Sequence, residues 1–280
     1  MKAIKFYAMF AIMIMMSSCE KFISDSEKSS EKSETKNVSL QLSQTEKVKK
    51  ACQKVSFAFF KGDEKIGAVN QALDDADFGN IHVSLSPGSY RIVAIGHNGT
   101  GSCTITTPEK ITFTNNKVTD TFYYYGTLEA KEDEKTTETV TLRRAVAMLR
   151  LVIKDKIPDN AKKIKFYYTG GSSTFNAVTG YGCVNSKQTE ILDIKPDQQV
   201  YEVYTFPHED NKALKVTISV LDENDFTIAS TTLEDVQVEK NYITQYSGKL
   251  FKDLSGGGST DIDIEFEFDP EWAGEKDYEF

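Results

Sequence analysis

The stretch His82-Val83-Ser84-Leu85-Ser86-Pro87-Gly88-Ser89-Tyr90-Arg91-Ile92-Val93-Ala94-Ile95-Gly96 decides the fold class. Residues 82–86 and 90–96 are short runs suited to a pleated strand, and the Pro-Gly pair between them sets a tight turn. The pattern recurs on either side. Residues 55–60, 110–114 and 118–125 read as further strands, with Asn115-Asn116 turning the chain between the last two. Both turn pairs are read as hairpin signals. Residues 67–78 have room for one short helix, weakened by Asp74, Asp75 and Asp77.

A charged stretch, residues 131–138, breaks the pattern, so the joint between two halves is placed near Thr139. Residues 140–154 fit two periods at once. Leu142, Val146, Leu149 and Ile153 suit a helix, whereas Leu142, Val146, Met148, Arg150 and Val152 suit a strand with a bulge near Arg143-Arg144. Beyond them, residues 163–169, 200–206, 213–221, 226–231 and 242–251 are strand-like and separated by Gly, Pro, Asn or Asp. Strands at this spacing, with no βαβ alternation, predict an all-β protein of antiparallel sandwiches and exclude the usual nucleotide folds.

The leading residues carry a different signal. Lys2 and Lys5 precede an apolar run over residues 6–16, and Met16-Ser17-Ser18 brings small residues up to Cys19, the pattern of a secretory signal ending at a lipidation site. Residues 1–18 are read as a lipoprotein signal peptide, with the mature chain beginning at Cys19. The thiol of Cys19 takes diacylglycerol and its freed amine a further acyl chain such as palmitate. Each buried methylene contributes about 0.8 kcal/mol, so several chains hold firmly where one holds marginally. An uncleaved anchor helix is the alternative, but an apolar run of about eleven residues falls short of the roughly twenty that cross a bilayer. Residues 19–37, rich in Ser, Lys, Asp and Glu, bury too little to fold and are read as a disordered tether. The remainder divides into an N-terminal domain over 38–138 and a C-terminal domain over 139–280.

The formal net charge is −9 at pH 7, and removal of Lys2 and Lys5 makes it more negative. An acidic surface without a basic stripe argues against nucleic acid as a partner and against docking on anionic headgroups, which leaves the acyl groups to attach the protein to the membrane. In an oxidising compartment Cys52 and Cys103 have the option of pairing, leaving Cys183 alone; buried free thiols are the other reading. Their count and spacing suit neither zinc nor a redox pair. No metal or cofactor site is predicted.

His82, His97 and His208 sit far apart and read as surface or strand residues rather than a catalytic set. Residues 96–101, Gly-His-Asn-Gly-Thr-Gly, lack the following helix that a phosphate loop needs and read as a hairpin loop. Asp261, Asp263, Glu265, Glu267 and Asp269 suggest calcium. On a strand, however, they would stand about 6.5–7 Å apart, too far for oxygens that must lie about 2.3–2.6 Å from one ion. The better reading is a strand with an acidic outer face and an apolar face of Ile262, Ile264, Phe266 and Phe268. The preceding Ser255-Gly256-Gly257-Gly258-Ser259 is a flexible joint, which makes that apolar face a candidate strand-exchange surface, although packing in place is the simpler outcome.

The order of motifs in the second half resembles the fimbrillin superfamily, and more narrowly the minor or anchor fimbrial subunits of type V pili. The residues that carry it are the run from Val140 through Leu151, Ile157-Pro158, Gly171-Ser172-Ser173-Thr174-Phe175-Asn176 with Thr179-Gly180, and Asn241-Tyr242-Ile243-Thr244 with Ser247-Gly248. Leu85-Ser86-Pro87-Gly88-Ser89-Tyr90 is similar to a strand-turn-strand segment of the same family. The resemblance implies two tandem transthyretin-like Greek-key β-sandwich domains, with residues 140–154 holding the first strand of the second. Shaft subunits of the family lose a leading strand to a protease, often Arg-specific. Here no arginine precedes Arg91, and only lysines such as Lys47, Lys49 and Lys50 are available. That implies a subunit keeping its lipid and its first strand: a surface-exposed anchor or accessory piece at the outer membrane, joining other fimbrial subunits by β-strand addition, with a host surface ligand as a further partner. A second reading is a glycan- or host-ligand-binding lipoprotein using Tyr123-Tyr124-Tyr125, Tyr167-Tyr168 and Trp272 as stacking faces. An enzyme is disfavoured for want of convergent polar residues.

Overall fold

The computed structural model describes residues 36–132, 134–210, 212–251, 262–267 and 272. In chain order the first half contributes β1 (Val38–Leu42), α1 (Thr45–Ala51), β2 (Lys54–Lys61), β3 (Glu64–Ala72), β4 (Asn80–Val83), β5 (Gly88–His97), β6 (Cys103–Thr107), β7 (Lys110–Phe113), β8 (Thr121–Ala130), β9 (Thr136–Val140) and β10 (Arg143–Arg144). The second contributes β11 (Ala147–Ile153), β12 (Lys163–Thr169), β13 (Phe175–Asn176), β14 (Tyr181–Gly182), β15 (Lys187–Asp193), β16 (Val200–Thr205), β17 (Leu214–Leu221), β18 (Thr227–Val236), β19 (Ile243–Gly248) and β20 (Ile262–Glu267). The protein is an all-β structure of packed sheets.

In the first sandwich, β4-β1-β9 faces β10-β8-β5-β2-β3. The middle strand of the smaller sheet is β1, antiparallel to β4 and parallel to β9. Its alternation explains its place: Val38, Leu40 and Leu42 are buried in the core with Phe57, Phe59 and Phe78, while Ser39 and Gln41 point away. Burying three such side chains contributes roughly 1.5–3 kcal/mol each, so β1 is part of the core rather than an appendage.

The larger sheet is buried on both faces, and β2 shows how. Val55, Phe57 and Phe59 enter the first core, whereas Ala58 and Phe60 face a second cluster that also contains Ile111, Phe175, Phe206 and Ile243. Covering that second face is a four-stranded sheet of order β14-β13-β7-β6, drawn from both halves of the chain. Its central pairing, Phe175 opposite Ile111, joins second-half β13 to first-half β7. The second sandwich places β16-β11-β19-β20 against β15-β12-β17-β18 around Leu149, Leu151, Phe166, Tyr168, Tyr201 and Ile218.

Several local expectations are corrected. Pro87-Gly88 and Asn115-Asn116 do turn the chain, with φ of 142° at Gly88 and of 57° and 55° at the asparagines. They lead from one sheet to another, not into hairpins, because β4 and β5, like β7 and β8, belong to different sheets. The loop after His97 likewise connects two sheets. Residues 67–78 form no helix: Gly67, Ala68 and Val69 pair with Phe59, Ala58 and Phe57, and the apolar edge of β2 overrides a weak helical preference. Residues 140–154 contain no helix either and resolve into the end of β9, then β10 and β11. Since β9 pairs with β1 and β10 with β8, the chain passes to the second sandwich through Ala145-Val146, a little beyond Thr139.

The motif at residues 171–176 builds the crossing into the shared sheet. A Cβ on Gly171 would fall 2.1 Å from Thr205 Oγ1, so only glycine fits there. The buried Ser172 hydroxyl donates to Thr174 O at 2.6 Å and accepts from the N–H groups of Thr174 and Val184 at 3.1 and 3.2 Å. Every hydrogen-bonding group of that side chain is thereby used, which permits a polar residue at a fully dry position.

Candidate functional site

Among the described residues β20 is the edge strand of its sheet and is paired to β19 alone. The register sets Ile262 opposite Gly248, Ile264 opposite Tyr246 and Phe266 opposite Thr244. β19 in turn runs parallel to β11, whose other edge is taken by β16. The candidate strand-exchange residues thus sit on a paired terminal strand, with Phe268 outside the described residues, as are Cys19, Asp261, Asp269 and the 255–259 joint.

A polar knot lies at the junction of the two halves. Arg144 Nε donates to Asp120 Oδ1 at 2.8 Å and an Nη donates to Asp120 Oδ2 at 3.0 Å, a fork-to-fork pair whose side chains are only 10% and 13% exposed. The same guanidinium lies over the Trp272 ring at 3.9 Å and over the Phe122 ring at 4.7 Å. Trp272 is buried and stacks on Tyr204 of β16 with ring centroids 6.0 Å apart and an interplanar angle of 18°. Burial, with Asp120 and Glu202 nearby, pushes the Tyr204 phenol above its usual range. First-half Arg144 and Phe122, second-half Tyr204 and the C-terminal Trp272 therefore meet at one place. Sequence reading missed Asp120 and Arg144 as partners. The one signal was that a buried arginine needs a carboxylate, and the Arg143-Arg144 pair marked the position without naming the acid.

A second junction cluster surrounds Lys240. Its ammonium lies 3.9 Å from the centre of the Tyr181 ring and donates to Gly180 O at 3.0 Å. Burial, reinforced by Arg143, holds its pKa below the usual lysine range.

The histidines stand apart. His82 Nδ1 is 2.8 Å from Ser39 Oγ at the surface. His97 is buried, its Nδ1 accepting from the Gly99 N–H at 3.2 Å while Nε2 has no hydrogen-bond partner. Burial, with Lys54 as a lesser cause, pulls its pKa to about 4, so the ring is neutral. His208 Nε2 is also buried without a partner.

The thiols of Cys52 and Cys103 are free, so the Cys52–Cys103 disulfide is not formed. The reason is the sheet between them: Cys52 packs with Val55 and Phe57 in the first core, Cys103 with Ala58 and Phe60 on the opposite face. Burial pushes the Cys52 thiol up to about 12 and also raises Cys103. Cys183 is exposed.

The aromatic clusters do not share an exposed face. Tyr123 packs in the shared cluster, Tyr124 against the first core, and Tyr168 is buried with its hydroxyl donating to Tyr204 O at 2.8 Å. Tyr167 is 37% exposed, the one ring of the named set in open view among the described residues.

Such a molecule, two sandwiches locked by a common sheet, belongs among all-β proteins whose named groups pack or pair rather than converge on a reacting centre. Among the described residues no three His, Cys, Asp or Glu side chains are grouped to hold a metal ion. The chain belongs to DUF6562, described as a family of unknown function, which matches residues 102–280. No curated protein matches it. Among solved structures it is similar to a candidate adhesin from Bacteroides ovatus at 13% identity, over 70% of this chain and 81% of that one, with a TM-score of 0.51. A second candidate adhesin from Bacteroides ovatus is similar at 12% identity, over 81% and 92% of the two chains, also with a TM-score of 0.51. The fimbrial anchor protein Mfa2 from Porphyromonas gingivalis is similar at 12% identity over 82% and 97%, with a TM-score of 0.45. At these identities the likeness is one of fold alone.

Proposed function

We propose that this protein is a non-enzymatic surface lipoprotein that anchors or accessorises a fimbrium in cell adhesion, held at the outer membrane through acylated Cys19 and joined to other fimbrial subunits by β-strand addition. The observation that carries this reading is the contrast between the two ends of the described chain. β1 is embedded between two neighbours, whereas β20 rests on the edge of its sheet and pairs with β19 only. A chain built this way keeps its leading strand and offers its trailing one. An incoming strand on β19 would satisfy the backbone groups now paired with β20, giving affinity through main-chain hydrogen bonds and selectivity through alternate side chains. The names of two fold neighbours, both adhesins, support the same reading. The burial of Tyr123, Tyr168 and Trp272 speaks against a glycan-stacking platform.

The test is purification from native membranes. The protein should carry lipid on Cys19 and arrive with other sandwich-fold subunits, and its deletion should leave fibres shed or altered in length. An unacylated Cys19 in a soluble product that purifies alone would overturn the proposal.

A further inference from the structure

Trp272 is the only tryptophan in the chain. It lies five positions beyond the last residue of β20, Glu267, and is buried at the junction of the two sandwiches. Two groups lie against its ring and form its seat, one from each half: the Arg144 guanidinium at 3.9 Å and the Tyr204 ring at 6.0 Å and 18°. Asp120 fixes the guanidinium in plane through two hydrogen bonds, so the cationic part of the seat exists before any ring enters. A flat cation together with an aromatic face is a recognition surface for a further flat, electron-rich ring.

We propose that the Tyr204–Arg144 seat is a docking site for the aromatic residue that follows a terminal strand, and that Trp272, placed in it, holds β20 in its own sheet. The strand at the edge is paired on one side only and would fray readily if its backbone hydrogen bonds were its sole attachment. A buried ring beyond it fastens the segment on its C-terminal side. Exchange of the terminal strand then requires the ring to leave first, and an incoming strand competes best when it brings an aromatic residue at the same offset. This second part rests on the strand-addition reading; the first does not.

The test uses the full chain. In Trp272→Ala and Tyr204→Leu, hydrogen exchange of the 262–267 amides should accelerate at least tenfold while the amides of β2 and β5 keep their protection, and Trp272→Phe should restore most of the loss. Unchanged exchange at 262–267 in both variants overturns the latch. The lone tryptophan supplies the other readout. Two peptides copying residues 261–272, with Phe or with Ala in place of Trp272, are titrated into the unmodified chain while its emission is followed. The Phe peptide should drive the red shift at a concentration at least tenfold lower than the Ala peptide; equal potency overturns aromatic recognition. A chain whose 262–267 amides respond to Trp272→Ala but which takes up neither peptide retains the latch and loses strand addition.

Discussion

The ring of Phe175 meets the ring of Tyr123 edge-on, with centroids 4.8 Å apart and planes at 71°, and the two residues come from opposite halves of the chain. Phe175 also packs on Phe206 at 5.0 Å and is fully buried. Phe175→Ala should cost about 3–5 kcal/mol, as large-to-small changes in a dry core do. Because the contacts with Tyr123 and Ile111 cross between halves, calorimetry should show one transition for the parent chain and two for the variant. A variant that still melts in one step would show that the shared sheet does not couple the sandwiches.

Acid should destabilise the protein through His97. Its folded pKa is held near 4 and its unfolded value is 6.5, so the unfolded chain binds the proton more readily. Stability from this residue is complete above pH 6.5, falls as pH drops towards 4, and levels off below that. The span corresponds to about 3 kcal/mol. Urea midpoints at pH 7.5, 5.5 and 4 should show the decline, and His97→Gln should flatten it over that window.

Only one described thiol should be open to reagents. Iodoacetamide at pH 8 followed by peptide mapping should label Cys183 within minutes, while Cys52 and Cys103 stay unlabelled until denaturant is added. Burial keeps both in the unreactive thiol form. A Cys52–Cys103 linked peptide from non-reduced protein would contradict the sheet that stands between them.

The two arginine pairs should differ in weight. Asp120→Ala removes the two-point carboxylate partner of a nearly buried guanidinium and should cost about 3–5 kcal/mol. Glu202→Ala breaks the 2.8 Å pair with Arg150, where the acid is 34% exposed, and should cost at most about 1 kcal/mol. Equilibrium unfolding of the two variants side by side checks the ranking.

Turn chemistry and strand chemistry were legible; partnership was not. Pro87-Gly88 and Asn115-Asn116 announce a change of direction, because φ near 57° suits asparagine and few other side chains, yet nothing in a turn says whether the next strand stays in the sheet. Four of the strands that escaped notice lack a readable pattern. β6 and β9 are threonine-rich with few large apolar residues, while β13 and β14 span two residues each and are too short to display any period. The site follows the same rule. Arg144 and Asp120 are 24 positions apart, and only folding brings Trp272 against them. Strand spacing and the lack of βαβ alternation were enough to reach antiparallel sandwiches, but not to say which strands share a sheet.

The position of β1 has a mechanical meaning. Its neighbours β4 and β9 grip it from both sides through residues 38–42. Tension drawn along the strand from a tether on its N-terminal side loads those lateral bonds in shear, so they must yield together, whereas a margin strand peels one bond at a time. Under the proposed attachment through Cys19, β1 is the strand suited to bear that load, and an edge strand such as β20 is the one suited to let go.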